Sequence, residues 1–198
     1  KEKLPKKRKK DLIYEQAAQL FTEKGYKAAS TRELAERVGL KVSSLYSHIG
    51  SKEELLQKIC FDNANLFTQG MDRIDAMDEK VTDKIKAVIA LHVDMAVQNP
   101  SSVTVFSNEW KHLSVDATEQ FNLKYFLKLR KDYENRFRQI LILGINKGEL
   151  KNMNPDIALF TIITSVRWLH YWYKPSRMLD ANQLIEQIAS LILYGIES

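Results

Sequence analysis

Ser43, Ser44 and Ser47 are the residues from which the sequence first speaks chemically. They follow Gly39 in a short segment of mostly small polar side chains, and about eight helix-forming residues precede that glycine. A helix, a tight turn and a second slim helix make a helix-turn-helix unit. A slim, hydroxyl-bearing second helix fits the major groove of DNA, where base edges present hydrogen-bond donors and acceptors. Catalysis finds no comparable foothold, because the chain carries no nucleophile-and-base motif, no carboxylate constellation and no glycine-rich phosphate loop. His92, His112 and His170 form no His or Cys pair at a short ligand spacing, so neither a metal nor a cofactor is expected.

The elements that must position these residues are helices. With seven Gly and four Pro in 198 residues, and no internal repeat, the chain reads as all-α, with about nine helices. Leu12, Ala17, Leu20 and Phe21 form the stripe of a first helix that Gly25 is placed to stop. Ser30-Thr31-Arg32-Glu33 has capping-box spacing and opens a second, with Leu34, Ala35 and Val38 inward. The third runs about 42 to 48. Ser51-Lys52-Glu53-Glu54 is another capping box and starts a longer helix through Leu55, Leu56 and Ile59 to about 72. Further on, Val81 to Ala96 is amphipathic and ends near Asn99-Pro100. A long helix is expected from about 116 to 146, closed by Gly148, and a very apolar one from Asn154-Pro155 to about Tyr173. The last helix is expected over about 181 to 194. The expected division is a basic arm and reader over 1–51 and a helical effector and dimerisation domain over 52–198, with 52–72 connecting them.

Charge is divided unevenly. Residues 1–58 hold 14 Lys or Arg against 8 Asp or Glu, whereas residues 59–198 hold 16 against 17. Clustered positive charge is the footprint of a polyanion-binding surface, since neutralised phosphates release their counterions. A membrane surface would attract it as well. The run Lys6 to Lys10 also fits a solvated arm. A hydrophobic content of 44% is enough for a core, and the single cysteine, Cys60, excludes an internal disulfide framework. The basic start lacks the features of a secretory signal, and the apolar tract Ile157 to Tyr173 is short and interrupted for a bilayer span, so a cytoplasmic protein without membrane attachment is expected.

The order Ala17-Ala18-Gln19-Leu20-Phe21, Gly25-Tyr26, Ser30-Thr31, Leu34-Ala35, Val38-Gly39-Leu40, Leu45-Tyr46-Ser47-His48 and Ser51-Lys52-Glu53-Glu54-Leu55 resembles the DNA-binding domain of TetR-type bacterial regulators, over residues 12 to 58. The resemblance implies that Thr31 and Ser44 hold phosphates through their hydroxyls, and that Tyr46, His48 and Lys52 contact the DNA backbone. These contacts set register and affinity. Base edges would be met by Arg32, Lys41, Val42, Ser43 and Ser47, with Arg32 able to grip a guanine and Val42 to pack on a thymine methyl. Lys41 stands where a capping Ser is frequent in the family, and Ile49 where Phe is usual.

Behind the reader, Glu109-Trp110, Asn146 to Leu150, Trp168 and Trp172 to Pro175 are similar to regulators that answer to acyl-CoA or related lipidic ligands. Phe106, Trp110, Phe121, Tyr125, Trp168 and Trp172 could line a mostly apolar ligand pocket, or could equally be core and interface. Arg167, alone in an apolar helix, calls for a carboxylate such as Glu109 or Asp94, or for an anionic ligand. The resemblance implies a homodimer through the last two helices, and their apolar surface agrees. The expected protein is a regulator, by family habit a repressor, released from a palindromic double-stranded DNA operator by a small molecule such as an acyl-CoA or fatty acid. Its main rival is a nucleoid or cell-division factor of the same fold whose helical domain binds a protein partner. An all-helical enzyme with a DNA anchor and a membrane-surface protein fit less.

Overall fold

The computed structural model describes residues 8–118, 121–174 and 179–196. Most of the basic run, up to Lys7, lies outside them, as does Pro175. Ten α-helices are present among the described residues: α1 (Lys9–Lys24), α2 (Thr31–Arg37), α3 (Val42–Tyr46), α4 (Lys52–Asp75), α5 (Val81–Gln98), α6 (Pro100–Asn108), α7 (Leu123–Asn146), α8 (Pro155–Arg167), α9 (Leu169–Trp172) and α10 (Ala181–Ile196), with a 3-10 turn at Trp110–His112. The all-α expectation holds, α9 being a single turn. No described helix is long and apolar enough to cross a membrane.

Local chemistry accounts for most helix ends. Gly25 stops α1 at φ 79° and Gly148 follows α7 at φ 73°, a region that costs a side-chain-bearing residue dearly. Asn154 caps α8, accepting from the Asp156 amide at 2.8 Å, and Pro155 takes the first helical position, where no N–H is needed. Three expectations are corrected. Residues 100–108 form α6, where only a turn was expected, and the helix expected from 116 begins at Leu123. There the Asn122 side chain accepts from the Tyr125 amide at 2.8 Å, an N-cap bond that fixes the start. The apolar helix expected to run to Tyr173 breaks at Trp168, whose φ of −90° and ψ of 4° depart from the helix.

The chain gathers into two compact units, neither continuous in sequence. The first comprises residues 1–63 and 101–125, the second 64–100 and 126–198. In the first, Ile13, Ala17, Leu20, Phe21, Leu34, Ala35, Leu45 and Ile49 are buried beneath α1, α2 and α3. In the second, α5 packs against α8, α9 and α10, and Ile85, Val88, Ile89, Phe137, Leu141, Leu159 and Ile162 are wholly or almost wholly enclosed. Gly144 lets α7 pass close to this core: a Cβ there would lie 2.6 Å from Val81 Cγ1 and 2.7 Å from Leu150 Cδ1. Nearby, Glu149 accepts from the Val81 amide at 2.7 Å. Arg136 on α7 binds Asp72 and Asp75 at the end of α4.

Candidate nucleic-acid interface

The reader is assembled by capping. Ser30 Oγ accepts from the Glu33 amide at 3.2 Å and the Glu33 carboxylate accepts from the Ser30 amide at 3.3 Å, closing the box that starts α2. Past α2, Gly39 turns the chain at φ 65°, and the Leu40 amide returns to the Ala35 carbonyl at 2.9 Å. Leu45, fully buried, then anchors the five-residue α3. Lys41 stands at its N-cap without a side-chain cap bond, in keeping with its departure from the capping Ser. At the start of α4, Ser51 Oγ accepts from the Glu54 amide at 3.0 Å, while the Glu54 carboxylate accepts from the Gly50 amide at 2.7 Å.

This scaffold presents most of the expected contact residues outward together. Arg32, Lys41, Val42, Ser43, Ser44, Tyr46 and Ser47 are exposed, and Thr31 and His48 are half-buried. The Tyr46 hydroxyl donates to Thr31 Oγ1 at 3.3 Å, tying the start of α2 to the end of α3. Ser47 Oγ donates to the Ser44 carbonyl at 2.7 Å. Arg32 pairs with Glu36 at 3.3 Å, but both side chains are solvated, so the pair holds the guanidinium only loosely.

Lys52 differs from the other nine. Its ammonium donates to the carbonyls of Tyr26 (2.7 Å), Ala29 (2.8 Å) and Lys27 (3.4 Å) and lies 4.5 Å from the centre of the Tyr26 ring. Desolvation there lowers its pKa from the usual lysine value. Its charge thus holds the α1–α2 connection against the start of α4. Lys52→Met is expected to cost about 1–2 kcal/mol of stability in urea unfolding, from charged hydrogen bonds and a cation–π contact on a half-buried side chain. Other cations are engaged likewise: Lys9 donates to the Val38 carbonyl at 2.8 Å, Lys24 pairs with Glu33 and Arg37 with Glu23.

A second set of residues reaches the reader from far along the chain, and no spacing in the sequence announces it. Thr22 Oγ1 donates to the Ser101 carbonyl at 3.1 Å, and the Glu109 carboxylate accepts from the Tyr26 amide at 3.3 Å. His112 Nε2 lies 3.5 Å from Glu109, and its ring stacks on Tyr26 with centroids 5.7 Å apart. Glu109 thus has partners within the first unit, whereas Arg167 lies in the second and, among the described residues, makes no ion pair with Asp94.

The six candidate pocket aromatics divide between the units. Phe106, Trp110, Phe121 and Tyr125 belong to the first, where Phe61 meets Phe121 edge-on (5.4 Å) and stacks on Tyr125 (5.9 Å). Trp168 and Trp172 belong to the second and are 50% and 43% exposed. The second unit also has a cleft of about 380 Å³ lined by Thr68, Leu129, Asp132, Tyr133, Asn135 and Arg136. Behind it Tyr133 and His92 share a 3.0 Å hydrogen bond, and the His92 ring lies 4.8 Å from that of Phe67. Burial, and then the field of Arg167, lowers the His92 pKa to about 3. Burial, and then the same Arg167, also lower that of Arg130, against the opposing charge of Glu134. Among the described residues no three His, Cys, Asp or Glu come together as metal ligands.

A capped helix, a glycine turn and a short outward-facing helix, joined to a second all-helical unit, define a helix-turn-helix DNA-binding regulator. Residues 13–59 match the family model described as bacterial regulatory proteins, tetR family, and residues 78–196 match that of the tetracyclin repressor-like C-terminal domain; the chain belongs to the TetR family. It is a DNA-binding transcriptional regulator and not an enzyme. Among its relatives is the transcriptional repressor KstR2 of Rhodococcus jostii, 27% identical, the match covering 92% of this chain and 88% of that one. The fold is shared with the ketosteroid transcriptional regulator KstR2 of Mycobacterium tuberculosis (TM-score 0.88, 20% identity, 98% and 97% of the two chains covered). It is shared too with AibR, solved in complex with isovaleryl coenzyme A and operator DNA (TM-score 0.78, 21% identity, 93% and 97% covered).

Proposed function

We propose that this regulator is a homodimeric cytoplasmic repressor that leaves a pseudo-palindromic operator when an acyl-CoA, a fatty acid or another lipidic effector binds. The observation that carries the reading is the outward display of Arg32, Lys41, Val42, Ser43, Ser44, Tyr46 and Ser47 on a capped and anchored helix pair. One such reader per half-site fits the two-fold symmetry of an operator. In this reading Thr31, Ser44, Tyr46 and His48 hold phosphates, and Lys52 acts through the connection that it fastens.

Dimerisation through α8 and α10 is supported by what those helices leave uncovered. Ile157 is 68% exposed, Leu191 79% and Tyr194 87%, and a shallow groove of about 660 Å³ runs along α8 beside Phe160 and Thr164. Burial of such faces against a second copy removes apolar surface from water at about 25 cal/mol per Å². An anionic effector is supported by Arg167 and Arg130, two permanently charged guanidinium groups carried by the second unit. The AibR complex with isovaleryl coenzyme A and operator DNA supports the same class. A coupling of about 1–3 kcal/mol, carried by residues 52–72, changes operator affinity roughly 5–150-fold.

The test is to establish the dimer by native mass spectrometry and then to titrate acyl-CoAs and fatty acids against binding to the DNA upstream of the protein's own gene. Release by an acyl-CoA supports the reading; firm binding that ignores the whole panel removes the lipidic effector and favours a protein partner. The reader has its own test. Tyr46→Ala is expected to weaken binding by about 1–2 kcal/mol on every sequence, whereas Arg32→Ala changes preference at one base pair by about 1–3 kcal/mol. Unchanged affinity of Tyr46→Ala at physiological salt means that α3 is not the helix in the groove.

A further inference from the structure

Asn63 is the single buried polar residue among those described, 2% exposed. It interrupts the inward stripe of α4, where Leu56, Ile59, Cys60, Phe67 and Met71 are all buried and apolar. Its amide nitrogen donates to the Ile59 carbonyl at 2.7 Å and to Ser102 Oγ at 2.7 Å. Because a backbone carbonyl can only accept, these bonds fix which end of the amide is nitrogen. The other end, Oδ1, finds no hydrogen-bond partner among the described residues. A half-satisfied amide is a poor core residue, since an unmet buried acceptor carries its full desolvation penalty. Leucine, branched at the same carbon though larger, would carry no such penalty. A donor from outside the chain, a buried water or a ligand hydroxyl, would complete it.

The neighbour supplies the complementary group. Ser102 Oγ accepts from Asn63 and keeps its own proton to donate. Asn63 and Ser102 together therefore offer one acceptor and one donor a short distance apart. A hydroxyl answers both at a single oxygen, whereas the N–H of a secondary amide answers only the first, its carbonyl pointing the other way. Ser102 lies on α6, and Phe106, one helical turn further along, is among the aromatics named above as candidates for the pocket lining.

We infer that Asn63 and Ser102 form the polar recognition point of the effector site and select an effector bearing a hydroxyl group on an otherwise apolar portion. The inference rests on the effector-released reading above and names the chemistry that the site discriminates. Site groups built to bond a hydroxyl reject the analogue that lacks it, because they are then left unpaired. Asn63 also stands on the helix that leads from the reader, so its bond to the effector is made where occupancy can alter the α4–α6 contact.

The experiment uses the full-length protein bound to its own upstream DNA, with 3-hydroxybutyryl-CoA and butyryl-CoA as probes and fluorescence anisotropy as readout. The unsubstituted protein is expected to release DNA at concentrations about 10-fold or more lower for the hydroxylated probe, the scale of one charge-free buried hydrogen bond pair. Asn63→Leu and Ser102→Ala should each erase most of that preference while still binding DNA. Equal response to both probes, unchanged in Ser102→Ala, overturns the inference and leaves the acyl-CoA reading standing. If neither probe releases DNA, the acyl-CoA reading fails and the inference, which rests on it, falls with it.

Discussion

Leu45→Ala is expected to lose operator binding while keeping most of its helical circular-dichroism signal. Leu45 is fully enclosed and is the sole buried side chain of α3. Five residues cannot hold a helix by backbone bonds alone, since nucleation is costly and short helices depend on tertiary packing. Truncating a buried leucine costs about 2–5 kcal/mol, a large part of the stability of a domain of this size. The second unit buries its own core around α5 and contributes most of the helical residues, so its signal should survive. The measurement pairs anisotropy on operator DNA with a thermal melt at 222 nm. Retention of both binding and melting behaviour would mean that α3 is held by something other than this anchor.

The second large effect is on acid stability. His92 has a pKa of about 3 in the folded protein against 6.5 when exposed, through burial first and the charge of Arg167 second. Between those values the unfolded chain takes up a proton that the folded one refuses, so unfolding is favoured as pH falls. The stability at stake is fully present above pH 6.5 and is eroded on the way down to about 3. The slope approaches about 1.4 kcal/mol per pH unit, which gives roughly 2 kcal/mol by pH 5. His170, whose pKa burial also lowers, acts in the same direction. His92→Gln keeps a partner for the Tyr133 hydroxyl and removes the titration. Urea unfolding at pH 7 and pH 5 should therefore show a smaller loss for that variant than for the unsubstituted protein; equal losses would assign the acid sensitivity elsewhere.

How far the sequence could be read depended on the distance over which each signal acts. The reader was legible because its determinants are local: Ser30 and Glu33 close a capping box three residues apart, and Gly25 and Gly39 sit where the chain turns through positive φ. Leu34, Ala35 and Leu45 are buried as their helical spacing implies. By contrast α6 was invisible, since Ser101-Ser102-Val103-Thr104-Val105 combines β-branched residues with small polar ones of middling helix propensity. The start of α7 was placed too early because the apolar stripe through Phe121 and Tyr125 suggests one helix, whereas Phe121 and Tyr125 both turn to Phe61 on either side of the cap at Asn122. Glu109 and Tyr26 are 83 positions apart, and no periodicity connects them. Arg167 was expected to meet a carboxylate or an anionic ligand by a rule for buried charge, yet it is exposed, so the rule did not apply.

The discontinuity of the first unit has a consequence for synthesis and for engineering. When the ribosome has completed α3 and the first three turns of α4, the segment that supplies Ser101, Ser102, Glu109 and His112 does not yet exist. At about 5–20 residues per second, the further 60 or so residues take roughly 3–12 s to appear. During that interval Tyr26 lacks the Glu109 carboxylate and Phe61 lacks Phe121 and Tyr125. The first unit is thus finished only after about a third of the second has been made. A chimaera that exchanges readers by cutting at residue 51 or 63 would join one half of this unit to a stranger's other half; a working exchange would carry residues 101–125 along with it.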